Sequence, residues 1–257
     1  VAIVIVTEAG YHKEIVEKIC KGACIYIALI QLITLCVILV TTDYSQNRQR
    51  EAMTTEHSLE LAQKNNVLVF VLDCFEGDWF EEIVADNPDF VEPLSDFTYY
   101  RNGTSQFAHT SMAIPYMLTG VTWKNDLEED YKSYAYRNSS ALYELAESGC
   151  DVGVYTNVSY LSDDAKLLTS NYRTEVKRKY NISTTLKLMW KASMYKAMPF
   201  GLKVKYEYYS GDMSSMVLSE NVWNIDNDIP FYNTIEQTGL SVSKNYDKAF
   251  RFYHMRG

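Results

Sequence analysis

The five cysteines of this 257-residue chain form no CxxC pair. Cys20, Cys24 and Cys36 lie in or just before one apolar run, leaving only Cys74 and Cys150 elsewhere. That scarcity speaks against a disulfide framework and against a zinc site built on thiolates. Positive charge is also short: 24 Lys and Arg stand against 33 Asp and Glu, a net charge of −9, and no basic stripe breaks the balance. Duplex binding requires Lys and Arg to neutralise phosphates, so no nucleic-acid partner is expected. Internal repeats and low-complexity tracts are missing too. The hydrophobic share of 47% and charged share of 22% are globular values and argue against disorder. The length suits one ordinary domain plus a membrane element. Val1 is not Met, and Val1–Val6 is apolar. We therefore expect a piece of a longer protein, with residues 1–22 holding the end of an upstream span and a cytoplasmic link.

Charge is absent altogether from Ala23–Val40, ACIYIALIQLITLCVILV, and from its flanks out to Gly22 and Thr42. An uncharged run of this length can cross a hydrocarbon core of about 30 Å at a rise of about 1.5 Å per residue. Residues 23–42 are thus expected to be a transmembrane helix, although Gln31 and Thr34 keep a buried core helix open as the alternative. A charged stretch precedes the run and no clear small-residue cleavage site follows it, which disfavours a signal peptide. Lys13, Lys18 and Lys21 before the run, with Asp43 nearest it on the other side, place the N-terminal side in the cytoplasm against Arg48 and Arg50. The rest of the membrane-attached chain would then be extracytoplasmic.

Residues 43–65 are polar and read as a linker, with a short helix or linker at Ser58–Ala62. Asn66–Asp73 is a continuous β-branched apolar run ending in a carboxylate, the pattern of a strand buried on both faces of an α/β sheet. Ligands collect at the carboxyl ends of such strands, which puts Asp73 in position for chemistry. Trp79–Val84 reads as a helix ended by Asp86-Asn87-Pro88, Phe97–Tyr100 as a short strand and Asn102-Gly103 as a turn. Ser105–Leu118 has helical spacing with Pro115 inside it, closed by Thr119-Gly120. Ser139–Ser148 is a helix capped by Ser139 or Ser140 and Gly149, followed by a strand at Asp151–Thr156. Thr169–Lys205 reads as helical and basic around Lys177, Arg178 and Lys179, a solvated face with anionic lipid as the lesser reading. Lys248–His254 is a last strand.

Two features then stand together: Asp73, and a hydroxyl in Phe-Ala-His-Thr110-Ser-Met-Ala-Ile-Pro115-Tyr-Met-Leu-Thr-Gly120. The stretch 66–120 resembles the opening of the alkaline phosphatase/sulfatase superfamily. It is similar to the branch that includes lipoteichoic acid synthases and phosphoethanolamine transferases. In that pattern an apolar strand ends in an acidic metal ligand, and a nucleophile farther on opens a helix running into Leu-Thr-Gly. Two counts select the same residue. Thr110 lies ten residues before Gly120, as a sulfatase nucleophile does, and five before Pro115, as the phosphoethanolamine transferase threonine does. Phe250–Gly257 looks like the strand leading into a His-x-x-Gly-x-His-x-Pro-Tyr motif. The second His of that motif, and the following Asp-His metal pair, would fall past Gly257.

The resemblance covers residues 66–257. It implies the N-terminal part of a sulfatase-like catalytic domain: an α/β, alkaline-phosphatase-like, mixed and mostly parallel sheet flanked by helices, incomplete, and preceded by the transmembrane helix. It also implies Thr110 as nucleophile, Asp73 and Thr110 as ligands of one divalent metal (Zn, Mn, Mg or Ca), and His254, with His109 behind it, as substrate contacts. The substrate class it suggests is a membrane lipid or lipid headgroup, with phosphoglycerol or phosphoethanolamine as the transferred group. A bound divalent cation lowers the cost of forming an alkoxide, and the helix start near Thr110 favours an anion.

The chain departs from the sulfatase pattern in two places. Asp73-Cys74 stands where two adjacent acids are usual, and Thr110-Ser-Met-Ala-Ile114 replaces Cys-x-Pro-x-Arg. A sulfatase nucleophile is an aldehyde made from Cys or Ser, which Thr cannot give, so phosphoryl chemistry at a single metal is expected over a sulfuric ester hydrolase. A non-catalytic member in cell-envelope assembly is the remaining alternative. The intact protein is expected to be an enzyme and this piece alone inactive, with too few ligands to hold a metal. Without that context Asp73 would be a strand-end cap, Thr110 a helix N-cap and His109 a local hydrogen-bonder. Cys74 reads as a packed thiol and Glu76 and Asp78 as solvated acids. Asn102, Asn138, Asn157 and Asn181 stand in glycosylation sequons.

Overall fold

The computed structural model describes residues 13–41 and 51–256, apart from 126, 128, 177, 210, 211, 214, 215, 220 and 225–227. It falls into two units, dividing at Gln49 and Arg50. Among the described residues the first contains one helix, α1 (Lys13–Thr41), with an apolar window over Val16–Thr41 that is long enough to cross a membrane. The segment read as a cytoplasmic link is, from Lys13 on, continuous with this helix. Val1–Val6 lies outside the described residues.

The second unit is mixed α/β, and most of its strand pairing is parallel. In chain order it contains β1 (Ala52–Met53), β2 (Glu60–Leu61), β3 (Asn65–Leu72), α2 (Gly77–Asp86), α3 (Thr110–Thr119), α4 (Tyr131–Arg137), α5 (Ala141–Glu147), β4 (Cys150–Tyr155) and α6 (Asp163–Leu167). There follow β5 (Tyr172–Arg173), β6 (Arg178–Tyr180), α7 (Ile182–Ala197), α8 (Phe200–Lys203), β7 (Val217–Ser219), α9 (Asp228–Thr238), β8 (Ser241–Val242) and β9 (Lys248–Met255). The main sheet has the order β3-β9-β4, all parallel, so the last strand in sequence sits in the middle.

The core lies on the β4 and β9 side. Val152, Val154 and Phe252 pack with Ile114 and Leu118 of α3, Leu142 of α5, Ala165 of α6, and Trp223. Gly153 is required within β4. A Cβ there would meet the Tyr155 ring at 2.8–3.0 Å and Arg251 Cδ at 3.1 Å. Arg251 is wholly buried, and its charge is met by Asp151 Oδ2 at 2.7 Å and by the Asp151 and His57 carbonyls.

Several local expectations change. Residues 51–65 do not act as a linker: Met53 is buried, β1 pairs antiparallel with β5, and Asn171 donates to the Thr54 carbonyl at 3.0 Å. Ser58–Ala62 holds a turn and the short strand β2 rather than a helix. Phe97–Tyr100 is not a strand: no strand pairs with it among the described residues, and Phe97 and Tyr100 are exposed. The helix expected from Ser105 starts at Thr110, after the Ser105 hydroxyl bonds the Phe107 carbonyl and amide in a local turn. Thr169–Lys205 is broken into β5, β6, α7 and α8, with α7 starting where the Asn181 side chain accepts from the Thr184 amide at 3.1 Å.

Candidate active site

Three parallel strands end at one edge of the sheet, and their next residues meet there. Register pairs Val71 with His254 and Leu72 with Met255, and the Asp73 amide donates to the Met255 carbonyl at 2.8 Å. That bond fixes Asp73 beside the end of the central strand. Thr156 follows β4 directly and reaches His254 Nδ1 at 3.0 Å. The carboxyl edge thus gathers Asp73, His254 and Thr156, the location where open α/β sheets place ligands.

The first turn of α3 adds Thr110. His109 occupies the N-cap position in extended conformation, without a side-chain cap, and its carbonyl accepts from the Met112 and Ala113 amides. Thr110 is therefore the first helical residue and not the cap. Its hydroxyl donates to Asp73 Oδ2 at 3.3 Å, 37 residues back in sequence. Gly120, with φ of +69°, ends the helix through its amide to the Tyr116 carbonyl at 2.7 Å.

His254 is the buried member. Its side chain is 3% exposed, against 37% for Asp73, and its Nε2 lies 3.7 Å from Asp73 Oδ2. That separation is too long for a hydrogen bond, though within charge contact, and Nε2 is buried without a hydrogen-bond partner among the described residues. A buried nitrogen left unsatisfied beside a carboxylate marks a place where a ligand atom would be favourable. Burial holds His254 below the ordinary imidazole value, and the Asp73 charge opposes this only in part. Whether Nε2 offers a lone pair or a proton is set by the Thr156 bond at Nδ1.

Of the residues singled out from sequence, the structure brings together Asp73, Thr110 and His254. His109 is exposed, and no hydrogen bond or ion pair joins its side chain to the other three among the described residues. Cys74 is not a packed thiol: it is exposed, with φ of +61°, because the chain turns sharply after β3. A non-glycine residue held in that region costs about 1–3 kcal/mol. Glu76 and Asp78 are exposed at the start of α2. Thr156 and Tyr160 were not foreseen. The Tyr160 ring centroid lies 6.0 Å from that of His254, and burial together with the Asp73 charge raises its hydroxyl above the ordinary phenol value. Thr156 could have been found from its place at a strand's carboxyl end; Tyr160 carries no signal in sequence.

Compared with known proteins, the chain matches no family model, no curated protein and no solved structure.

Asp73, Thr110 and His254 offer two oxygens and a nitrogen, a donor set that suits a borderline or hard divalent cation. The unpartnered Nε2 fits such a role. No group of three His, Cys, Asp or Glu gathers among the described residues, so a cation here would need donors beyond these.

Proposed function

We propose that this chain carries part of a membrane-anchored, metal-dependent phosphoryl-group transferase or phosphohydrolase of the alkaline phosphatase/sulfatase type, with an alkaline-phosphatase-like fold, Thr110 as nucleophile and the domain outside the cytoplasm. The observation that carries the proposal is the Thr110 hydroxyl on Asp73 at the sheet's carboxyl edge, 3.3 Å apart, beside the unpartnered Nε2 of His254. An anionic lipid headgroup is the donor class that a site tethered to a bilayer by α1 would meet.

In the proposed reaction Thr110 Oγ1 attacks the phosphorus of a phosphodiester. A bond from that oxygen to phosphorus forms, and the bond from phosphorus to the lipid alcohol breaks, the alcohol leaving with the proton that the Thr110 hydroxyl gives up by way of Asp73. Asp73 orients the attacking oxygen and is the acceptor in contact with its proton. The first amides of α3 turn their partial positive charge toward the phosphoryl oxygens. His254, held in orientation by Thr156, presents Nε2 to the substrate and could serve as a donor to a cation. A divalent cation held by Asp73 and Thr110 would lower the cost of ionising the hydroxyl and neutralise phosphoryl charge. Attack by water or an acceptor alcohol then releases the group and restores Thr110.

The test is Thr110→Ala in the intact protein. Turnover of a phosphodiester lipid and phospho-enzyme formation should both disappear while the folded spectrum is kept. An active Thr110→Ala protein overturns the proposal.

A further inference from the structure

Helix α7 buries none of its 16 residues, although it carries Ile182, Leu186, Met189 and Trp190. These four share one face at helical spacing and are 60–71% exposed; Phe200, at the start of α8, is 90% exposed. The opposite face, with Leu188, Ala192 and Tyr195, is partly covered. It is closed by the Tyr195–Tyr208 ring contact, with centroids 5.9 Å apart, and by Lys203 Nζ, 5.2 Å from the Tyr195 ring. The protein thus satisfies one side of α7 and leaves an apolar stripe outward.

The charge within the segment has a single sign, although Asp212 from outside it lies 3.9 Å from Lys191. Residues 181–205 hold five lysines (Lys187, Lys191, Lys196, Lys203 and Lys205) and no acid, in a chain whose net charge is −9. Lys187 and Lys196 are exposed beside the stripe. An outward apolar face with Trp, flanked by lysines, is the composition of a helix that lies in the headgroup region of a bilayer. The lysines complement the phosphates of an anionic lipid surface, and the apolar stripe between them matches the depth below those phosphates. The same chain carries α1, apolar and long enough to cross a membrane. Nine residues separate Thr41 from Glu51 in sequence, a tether of about 30 Å when fully extended.

We infer that the α7–α8 segment, residues 182–205, docks on anionic lipid headgroups of the membrane in which α1 is held. The inference is independent of any chemistry at Thr110. Docking inserts the Ile182, Leu186, Met189, Trp190 and Phe200 side chains to headgroup depth and sets the lysines against lipid phosphates.

The intact chain, reconstituted through α1 into vesicles of 30% phosphatidylglycerol in phosphatidylcholine or of phosphatidylcholine alone, provides the test. With brominated acyl chains, the fluorescence lost on Trp190→Phe substitution should be strongly quenched in the anionic vesicles. Amide exchange over 182–205 should be slower there by about tenfold or more than in phosphatidylcholine alone. Lys187→Glu with Lys196→Glu should remove that protection, because each basic residue near the surface is worth about fivefold in binding. Both lysines are exposed, so the fold is expected to be kept, and near-ultraviolet dichroism checks it. An unquenched Trp190 in anionic vesicles overturns the inference. So does protection that is insensitive to lipid charge, or that follows protein concentration, which would identify a second copy as the cover.

Discussion

Strands β3 and β9 pair in parallel over eight residues each, yet the more apolar of the two is the more exposed: β3 is apolar from Val67 to Leu72, whereas β9 carries Lys248, Arg251 and His254. Ala249, Phe252 and Tyr253 of β9 are buried, whereas Val67, Leu68, Phe70 and Leu72 of β3 are 38–53% exposed. The difference lies in what covers them. On the β4 side α3, α5, α6 and Trp223 close the core, while α2, the helix that follows β3, buries no residue. Burial here is a property of neighbours and not of the strand's own letters. The active-site candidates straddle this divide: Asp73 extends from the open flank and His254 from the packed centre. An accessible carboxylate therefore meets a desolvated imidazole.

The comparison breaks most readily at matched phenylalanines. Phe252→Ala opens a cavity in the packed centre and should destabilise by about 3–5 kcal/mol. Phe70 is half exposed and stacks on Tyr253 with centroids 4.8 Å apart, so Phe70→Ala should cost only about 0.5–1.5 kcal/mol. Urea unfolding of the two variants reads this directly; equal costs would mean that the β3 flank is covered as well as the β9 face.

A smaller effect sharpens the same contrast at the covered side. Asp130 caps α4 by accepting from the Lys132 and Ser133 amides and the Ser133 hydroxyl. Asp130→Ala should lose about 1 kcal/mol, and Asp130→Asn much less, in thermal unfolding. If Asn destabilises as much as Ala, the cap is not what holds this turn.

The smallest expected effect is on pH dependence. The Tyr172 hydroxyl, and after it Lys166, hold Glu51 below the ordinary carboxylate value of 4.5. A carboxylate with a depressed folded value stabilises fully above its unfolded value and loses that contribution as pH falls through the folded one. Glu51→Gln should therefore lower stability at neutral pH and flatten its decline below about pH 4.5. An unchanged acid slope would remove Glu51 from the packing of the β1–β5 edge.

What could be read in the sequence was what is local. The β3 run ending in Asp73, β4, β9, a helix closed by Thr119-Gly120 and the Asn102-Gly103 turn all show as patterns over a few residues, and the structure has them, with the helix starting at Thr110 and not at Ser105. Long-range pairing was illegible. The two-residue strand β1 is defined by β5, more than a hundred residues away, and has no periodicity of its own. Phe97–Tyr100 has strand-like letters and no strand partner among the described residues. The Thr156–His254 bond spans 98 residues. Asn157 and Asn181, noted as sequons, serve as caps to the Ser159 and Thr184 amides, a role that shows only once the following turns exist. Asp73 was found from its place at a strand end, and Thr110 through the resemblance, by its spacing to Pro115 and Gly120. The open state of the β3 flank carries none, since its residues are those of a buried strand.

The most direct measurement is mass-spectrometric mapping of phosphoryl adducts after the intact protein is mixed with a phosphodiester lipid and a divalent cation and quenched in acid. The account expects the adduct on the peptide bearing Thr110, lost in Thr110→Ala and diminished when Asp73 is changed to Asn. An adduct on another residue, or full turnover with Thr110 never modified, would contradict it.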